Sequence, residues 1–462
     1  MSFHLGKPIL AMLLIVGGSG AAVLLRPPPR SGDLVVWVFA MSHAESLRGD
    51  GSPNQPPTLI EQYQQRTGQR VEVKLINNNA LNLRLMSIFD RLDRDEVSGE
   101  TPDLATIEIG SVGRYFRPPV QDVGFLPLNE YLKRSGYMDR IVPPRLATWS
   151  KRGVIFGVPH DVHPVTITYR KDLFDEADIN LASAQTWPEF QDLCLAFQAY
   201  WHERGHPHRY AIELPFAASD YLVCMLLQRH INLIDDEDRI YMAEPIVAET
   251  LAYYVRLVSG RRRIGATPTP GTNMWMRDLD RGDICAFITA DWRATYLKNL
   301  PNLAGKLAMM PLPRFEPTDA PTATWGGTMI GIPRTARDPD EAWRLIEFFY
   351  FSPEGLAARQ RVTKILPPVR DFWNDPLYNE PDPFYGGQRV GQLFVELGDQ
   401  IPTRYVTPYT TMAIAQLSQV LTAAVEYHRA RGDSGLEEHC QQLLNDAAQD
   451  LQRRIDFGRI DE

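Results

Sequence analysis

The sequence is poor in cysteine. Cys194, Cys224, Cys285 and Cys440 are scattered through 462 residues, with no C-x-x-C pair and no zinc-binding spacing. That excludes a disulfide-stapled scaffold and predicts four buried thiols. In an oxidising compartment two of them are able to pair, and their separation does not select which. A basic stripe is also missing, and the net charge is −9, so nucleic acid is not an expected partner. There is no G-x-S-x-G, no H-E-x-x-H and no glycine-rich phosphate loop. These absences remove several enzyme classes but not a glycosidase, whose two carboxylates need no local motif. Low-complexity segments and internal repeats are absent too.

What is present is length, enough for two or three hydrophobic cores. Lys7 precedes an uncharged run over residues 8–25, followed by Arg26-Pro-Pro-Pro-Arg30. This is a charged start, an apolar segment and a stiff spacer, placing a leader or anchor at residues 1–32. Ser19-Gly-Ala-Ala22 offers small residues for cleavage, whereas the run of 18 residues nearly spans a bilayer. Cleaved signal and retained inner-membrane tether both fit. Either way the body is exported to the periplasm or another extracytoplasmic space. No cysteine lies nearby, which excludes a lipoprotein anchor.

Residues 34–40 form a near-continuous apolar run, read as a buried strand. Thr58-x-x-Glu61 is a capping box opening a helix. Val71, Val73 and Leu75 alternate with charged residues, Asn77 to Asn79 cap a helix, and 103–109 is a third strand. This βαβαβ order predicts a parallel sheet wrapped by helices, with ligands beyond the strands' carboxyl ends. The chain then pivots on Gly157-Val-Pro-His-Asp-Val-His163, the alternating run from Val165 to Tyr169, and a second capping box at Thr186-x-x-Glu189. Further strands are expected at 210–213, 284–289, 306–310 and 329–332, with a hairpin at 232–241. The C-terminal part reads as helical over 339–351, 353–361, 412–429 and 436–455.

The order of these segments resembles the extracellular solute-binding proteins of ABC importers, in particular the sugar-binding family that includes maltose-binding protein. The landmarks are Gly157-Val-Pro-His-Asp161, Tyr169-Arg-Lys-Asp-Leu-Phe174, Thr186-Trp-Pro-Glu-Phe190, Arg281-Gly-Asp-Ile-Cys-Ala286, Asp291-Trp292 and Trp325-Gly-Gly327. The resemblance implies an α/β, two-lobed periplasmic-binding-protein fold with three interlobe crossings and a helical C-terminus. Lobe 1 would hold 33–160 and 291–335, and lobe 2 would hold 161–290 and 336–462. The crossings would fall near 160–164, 289–291 and 334–338. It also implies a monomer that captures a mono- or oligosaccharide and delivers it to importer membrane subunits. No cofactor, metal or catalytic residue is implied. The chain departs from the family in lacking a lipoprotein cysteine and in carrying His160 and His163 at the first crossing.

A sugar site needs aromatic faces and planar polar groups. Trp292 and Trp325 supply the former, weighed against buried core positions. Asp161, Glu108 and Asp291 are candidate hydroxyl acceptors, weighed against hinge capping. Ser42, His43 and Asn77 stand at strand ends, where simple caps compete. His163, Gly326, Gly327 and Tyr409 complete the expected ligand-binding set. His202, His206 and His208 straddle Gly205 and Pro207 and read as a solvated loop, not a metal site. Asp235-Asp-Glu-Asp238 lacks the glycine and terminal Glu of a calcium loop and reads as a charged turn. The alternatives to a transport receptor are an exported carbohydrate-active hydrolase and a ligand-sensing subunit of a membrane sensor.

Overall fold

The computed structural model describes residues 34–52, 56–92, 99–267, 274–363 and 365–460. The leader at 1–32 and its apolar run lie outside them. No helix among the described residues is long and apolar enough to cross a membrane.

Two sheets set the architecture. Their strands are β1 Leu34–Val38, β2 Val71–Leu75, β3 Leu104–Glu108, β4 Val158–Pro159, β5 Val165–Arg170, β6 Ala286–Ala290, β7 Leu307–Pro311 and β8 Thr328–Gly331. The first sheet has the order β2-β1-β3-β8-β4. β1 runs parallel to β2 and β3, and β8 is antiparallel to β3 and β4. The second sheet is β6-β5-β7, with β5 antiparallel to both neighbours.

The unbroken apolar character of β1 follows from burial on both faces. Leu34, Val36 and Val38 pack in one core with Tyr63, Trp343 and Phe349. Val35 and Trp37 point the other way, into a core with Leu81, Leu85, Ile88 and Phe125. In the second lobe, Val165, Ile167 and Tyr169 meet Phe190, Cys194, Phe197 and Trp201 from helix Trp187–Glu203. The C-terminal helices Thr410–Arg431 and Leu436–Ile460 close that core through Leu417, Leu421, Leu444 and Leu451. All four cysteines are buried and free.

Both capping boxes form. Thr58 Oγ1 accepts from Glu61 N at 3.3 Å while Glu61 Oε2 accepts from Thr58 N at 2.8 Å. Thr186 and Glu189 repeat the arrangement at 3.3 and 3.0 Å. Each removes two orphan backbone donors and stabilises its helix start by about 1 kcal/mol.

The division of the chain between lobes differs from the expected one. The first crossing, 160–164, stands between β4 and β5 as expected. Asp291 does not leave the second lobe. It opens helix Asp291–Leu297, and β7 then fills the free edge of β5. The return to the first sheet comes at 324–327, just before β8, so most of 291–335 belongs to the second lobe. Conversely, helix Pro339–Phe351 lays Trp343, Ile346 and Phe349 on the first sheet, where they cover the apolar face of β1. Val369 still pairs with Ile141, so the chain does not leave the first lobe at 334–338.

Candidate functional site

A buried chain of charges fastens the joint between lobes. Asp161 accepts from Arg145 Nη2 at 2.8 Å and from the Thr328 backbone N–H at 3.1 Å. His163 lies between two carboxylates, its Nε2 at 3.0 Å from Asp161 and its Nδ1 bonded to Asp291. Asp291 in turn accepts from Trp292 N at 2.8 Å and Leu366 N at 3.0 Å. Burial opposes the imidazolium, but Asp161 and Asp291 outweigh it and raise the His163 pKa to about 9. Burial also works against the Asp161 carboxylate, and His163 and Arg145 more than offset it, holding its pKa below the usual carboxylate range.

Glycine is required beside this chain. Gly327 has φ of 138°, and a Cβ there would lie 2.1 Å from Arg145 Nη2. Asp161, His163 and Asp291, expected among the solute contacts, are thus brought together, but every carboxylate oxygen already has a protein partner. In this structure they tie the 160–164 and 324–327 crossings to the second lobe rather than present free acceptors.

Beside the joint, on the second lobe, an open pocket of about 280 Å³ is walled by Trp275, Trp292, Tyr296 and Trp325, with Tyr221, Glu213, Asp220 and Arg293 among its lining. Trp292 and Trp325 meet at 5.4 Å between ring centroids, inclined by 64°. The Trp292 indole N–H donates to the Trp325 backbone carbonyl at 3.1 Å, which orients the Trp292 ring. Tyr296 is 56% exposed at the rim.

Beneath them Arg293 is buried, 4.2 Å from the centroid of Trp275 and 4.7 Å from that of Phe287. It donates to Glu213 Oε2 at 3.0 Å and to the Tyr221 hydroxyl, which itself donates to the same oxygen at 2.9 Å. Burial works against the guanidinium charge, and Tyr221 with Glu213 outweighs it, so the Arg293 pKa rises. Burial also pushes the Tyr221 hydroxyl well up. The floor is a satisfied ion pair carrying aromatic walls, an arrangement that stacks apolar ring faces and accepts hydrogen bonds from hydroxyls.

Trp292 and Trp325 thus stand together on the second lobe, and a Cβ on Gly326 (φ 87°) would lie 3.1 Å from the Trp292 indole nitrogen. Glu108, half-buried, caps helix Ile109–Tyr115 by accepting from Gly110 N at 2.9 Å, and burial raises its pKa. The exposed Asn77 accepts from Asn79 N at 3.1 Å, a plain helix cap. Ser42 is half-buried and its carbonyl accepts from Ser46. His43 is buried against His160, with ring centroids 4.4 Å apart. Tyr409 packs against the second lobe's core. Glu213, Asp220, Tyr221, Trp275, Arg293 and Tyr296 were not anticipated. Two signals pointed to them: Glu213 ends an expected strand, and Arg293 follows Trp292 directly.

Residues 58–381 match the sequence profile described as bacterial extracellular solute-binding protein. The chain belongs to that family. Among relatives of this solute-binding protein, an arabinooligosaccharide-binding protein of Halalkalibacterium halodurans is 23% identical over 84% of this chain and 83% of its own. A lactose-binding protein of Rhizobium radiobacter is 23% identical over 83% and 86% respectively. The solved structure of the sugar-binding protein MalE from Xanthomonas citri matches with a TM-score of 0.72 and 19% identity, covering 92% of this chain and 98% of that one. The two-lobed fold is thus the one expected. The family is one of extracellular binding proteins and not of enzymes, which removes the exported hydrolase from consideration.

Proposed function

We propose that the protein captures a mono- or oligosaccharide in the aromatic pocket of its second lobe, beside the joint, and delivers it to the membrane subunits of an ABC importer. The observation that carries this reading is the Trp275–Trp292–Trp325 wall above the Glu213–Arg293 pair. Stacked indoles take the apolar faces of sugar rings, and Asp220 and Glu213 at the pocket accept hydroxyl hydrogen bonds. Relatives named for arabinooligosaccharide and lactose binding support the same solute class. The protein acts as a monomer outside the cytoplasm, with residues 1–32 directing export or holding it at the inner membrane.

A thermal-unfolding panel of neutral sugars, uronic acids, polyols and amino acids tests the assignment, because a bound solute raises the midpoint by mass action. Saturable shifts with neutral saccharides are expected. Shifts with amino acids alone would overturn it.

A further inference from the structure

On the first lobe, apart from the aromatic pocket, the Arg359 guanidinium is 8% exposed and has no carboxylate within ion-pair distance among the described residues. Its Nη1 donates to the His160 carbonyl at 3.1 Å and its Nη2 to the Tyr350 carbonyl at 3.3 Å. The group also lies 5.1 Å from the centroid of the Tyr350 ring. Its Nε has no partner among the described residues. His43, 9% exposed, likewise has an unpartnered Nδ1.

Both residues line one cavity of about 20 Å³, shared with Ser46, Thr106, His160 and Tyr350. That volume admits a single water-sized occupant. The Arg359 Nε–H is an orphaned buried donor, and the His43 ring supplies a second in its Nδ1–H tautomer, which marks a missing acceptor.

Charge identifies the acceptor. Around the joint, Arg145, His163 and Arg359 are buried cations, and Asp161 and Asp291 are the buried anions. Asp161 is already engaged by Arg145 and His163, and Asp291 by His163 and backbone N–H groups. One positive charge, that of Arg359, is left without a counter-ion in low-dielectric surroundings, which is strongly unfavourable. Burial keeps both His43 and His160 below the ordinary histidine range, so neither adds a second positive charge.

We propose that this cavity holds one small monovalent anion, of chloride's size, bound by the Arg359 Nε–H and the His43 Nδ1–H. It would sit where helix Met41–Arg48, the first crossing at His160 and helix Pro353–Val362 meet, and would neutralise the first lobe's buried charge. A water molecule fits the space but leaves that charge uncompensated.

The test is thermal unfolding of the whole protein in 100 mM sodium salt, with chloride replacing gluconate in steps. The midpoint should rise and saturate by roughly 1–4 °C, and Arg359→Met should abolish the response. A bromide-soaked crystal should show an anomalous peak between Arg359 and His43, which decides the matter if Arg359→Met does not fold. Identical midpoints in both salts with no bromide peak, or a chloride response that survives in Arg359→Met, would overturn the proposal in favour of a water.

Discussion

Replacing Trp325 by alanine separates a sugar platform from a core residue on one variant. The ring stands edge-on to Tyr221 at 5.5 Å and meets Trp292 at 5.4 Å, and it is only partly buried. Its carbonyl, which accepts from the Trp292 indole, is backbone and survives the substitution. What is lost is one face available for stacking and the edge contacts with two neighbours. By analogy with other aromatic stacking, a platform contributes about 1–3 kcal/mol, so affinity should fall roughly 5- to 150-fold. Truncating a fully buried tryptophan costs about 3–5 kcal/mol of stability. A half-buried ring should cost about half of that by the same reasoning. Calorimetry with a bound saccharide and urea midpoints on the same preparation give both numbers. Unchanged affinity together with a stability loss above about 4 kcal/mol would refute the platform and return Trp325 to the core.

Further outcomes follow from the joint and the termini. His163 titrates at 6.5 when unfolded and at about 9 when folded, so its contribution is complete below pH 6.5, declines between the two values and is gone above pH 9. The difference is on the order of 3 kcal/mol, and His163→Gln should flatten that part of the stability–pH curve in denaturant titrations. Gly327→Ala places a methyl against the Arg145 guanidinium and should lower the urea midpoint by the equivalent of about 3 kcal/mol or more; a neutral result would mean the joint yields freely. The described core begins at Leu34, so a protein starting at Asp33 should unfold with the full-length midpoint; loss of cooperative unfolding would show that residues 1–32 belong to the core. The four buried thiols should resist alkylation until denaturant is added, as read by mass spectrometry.

Much of this fold was legible in the chain because its signals are local. Period-two alternation at Val165 to Tyr169, the two capping boxes and the apolar run of β1 each settle an element without distant partners. The allotment of segments to lobes was not local. Whether 307–311 joins the first or second sheet depends on which edge is open, and β5 offered one. Whether helix Pro339–Phe351 covers the first sheet depends on an apolar face of β1 that lies about 300 residues away. The site divides in the same way. Trp292 and Trp325 stand beside turn-forming glycines and a strand end, which mark a cleft. Trp275 and Glu213 come from separate segments and meet only through Arg293, so the strand end at Glu213 alone did not reveal their pairing. Asp161, His163 and Asp291 looked like solute contacts, since polar residues at a crossing read alike whether they face solvent or one another.

The central claim is that the aromatic pocket of the second lobe, beside the joint, holds a saccharide without transforming it. Titration calorimetry of the protein with arabino-, galacto- and malto-oligosaccharides, followed by recovery of the sugar, tests it most directly. The account predicts one site per chain, affinity on the order of micromolar, a negative heat-capacity change and sugar recovered intact. No saturable heat with any saccharide, or sugar recovered cleaved in proportion to protein concentration, would contradict it.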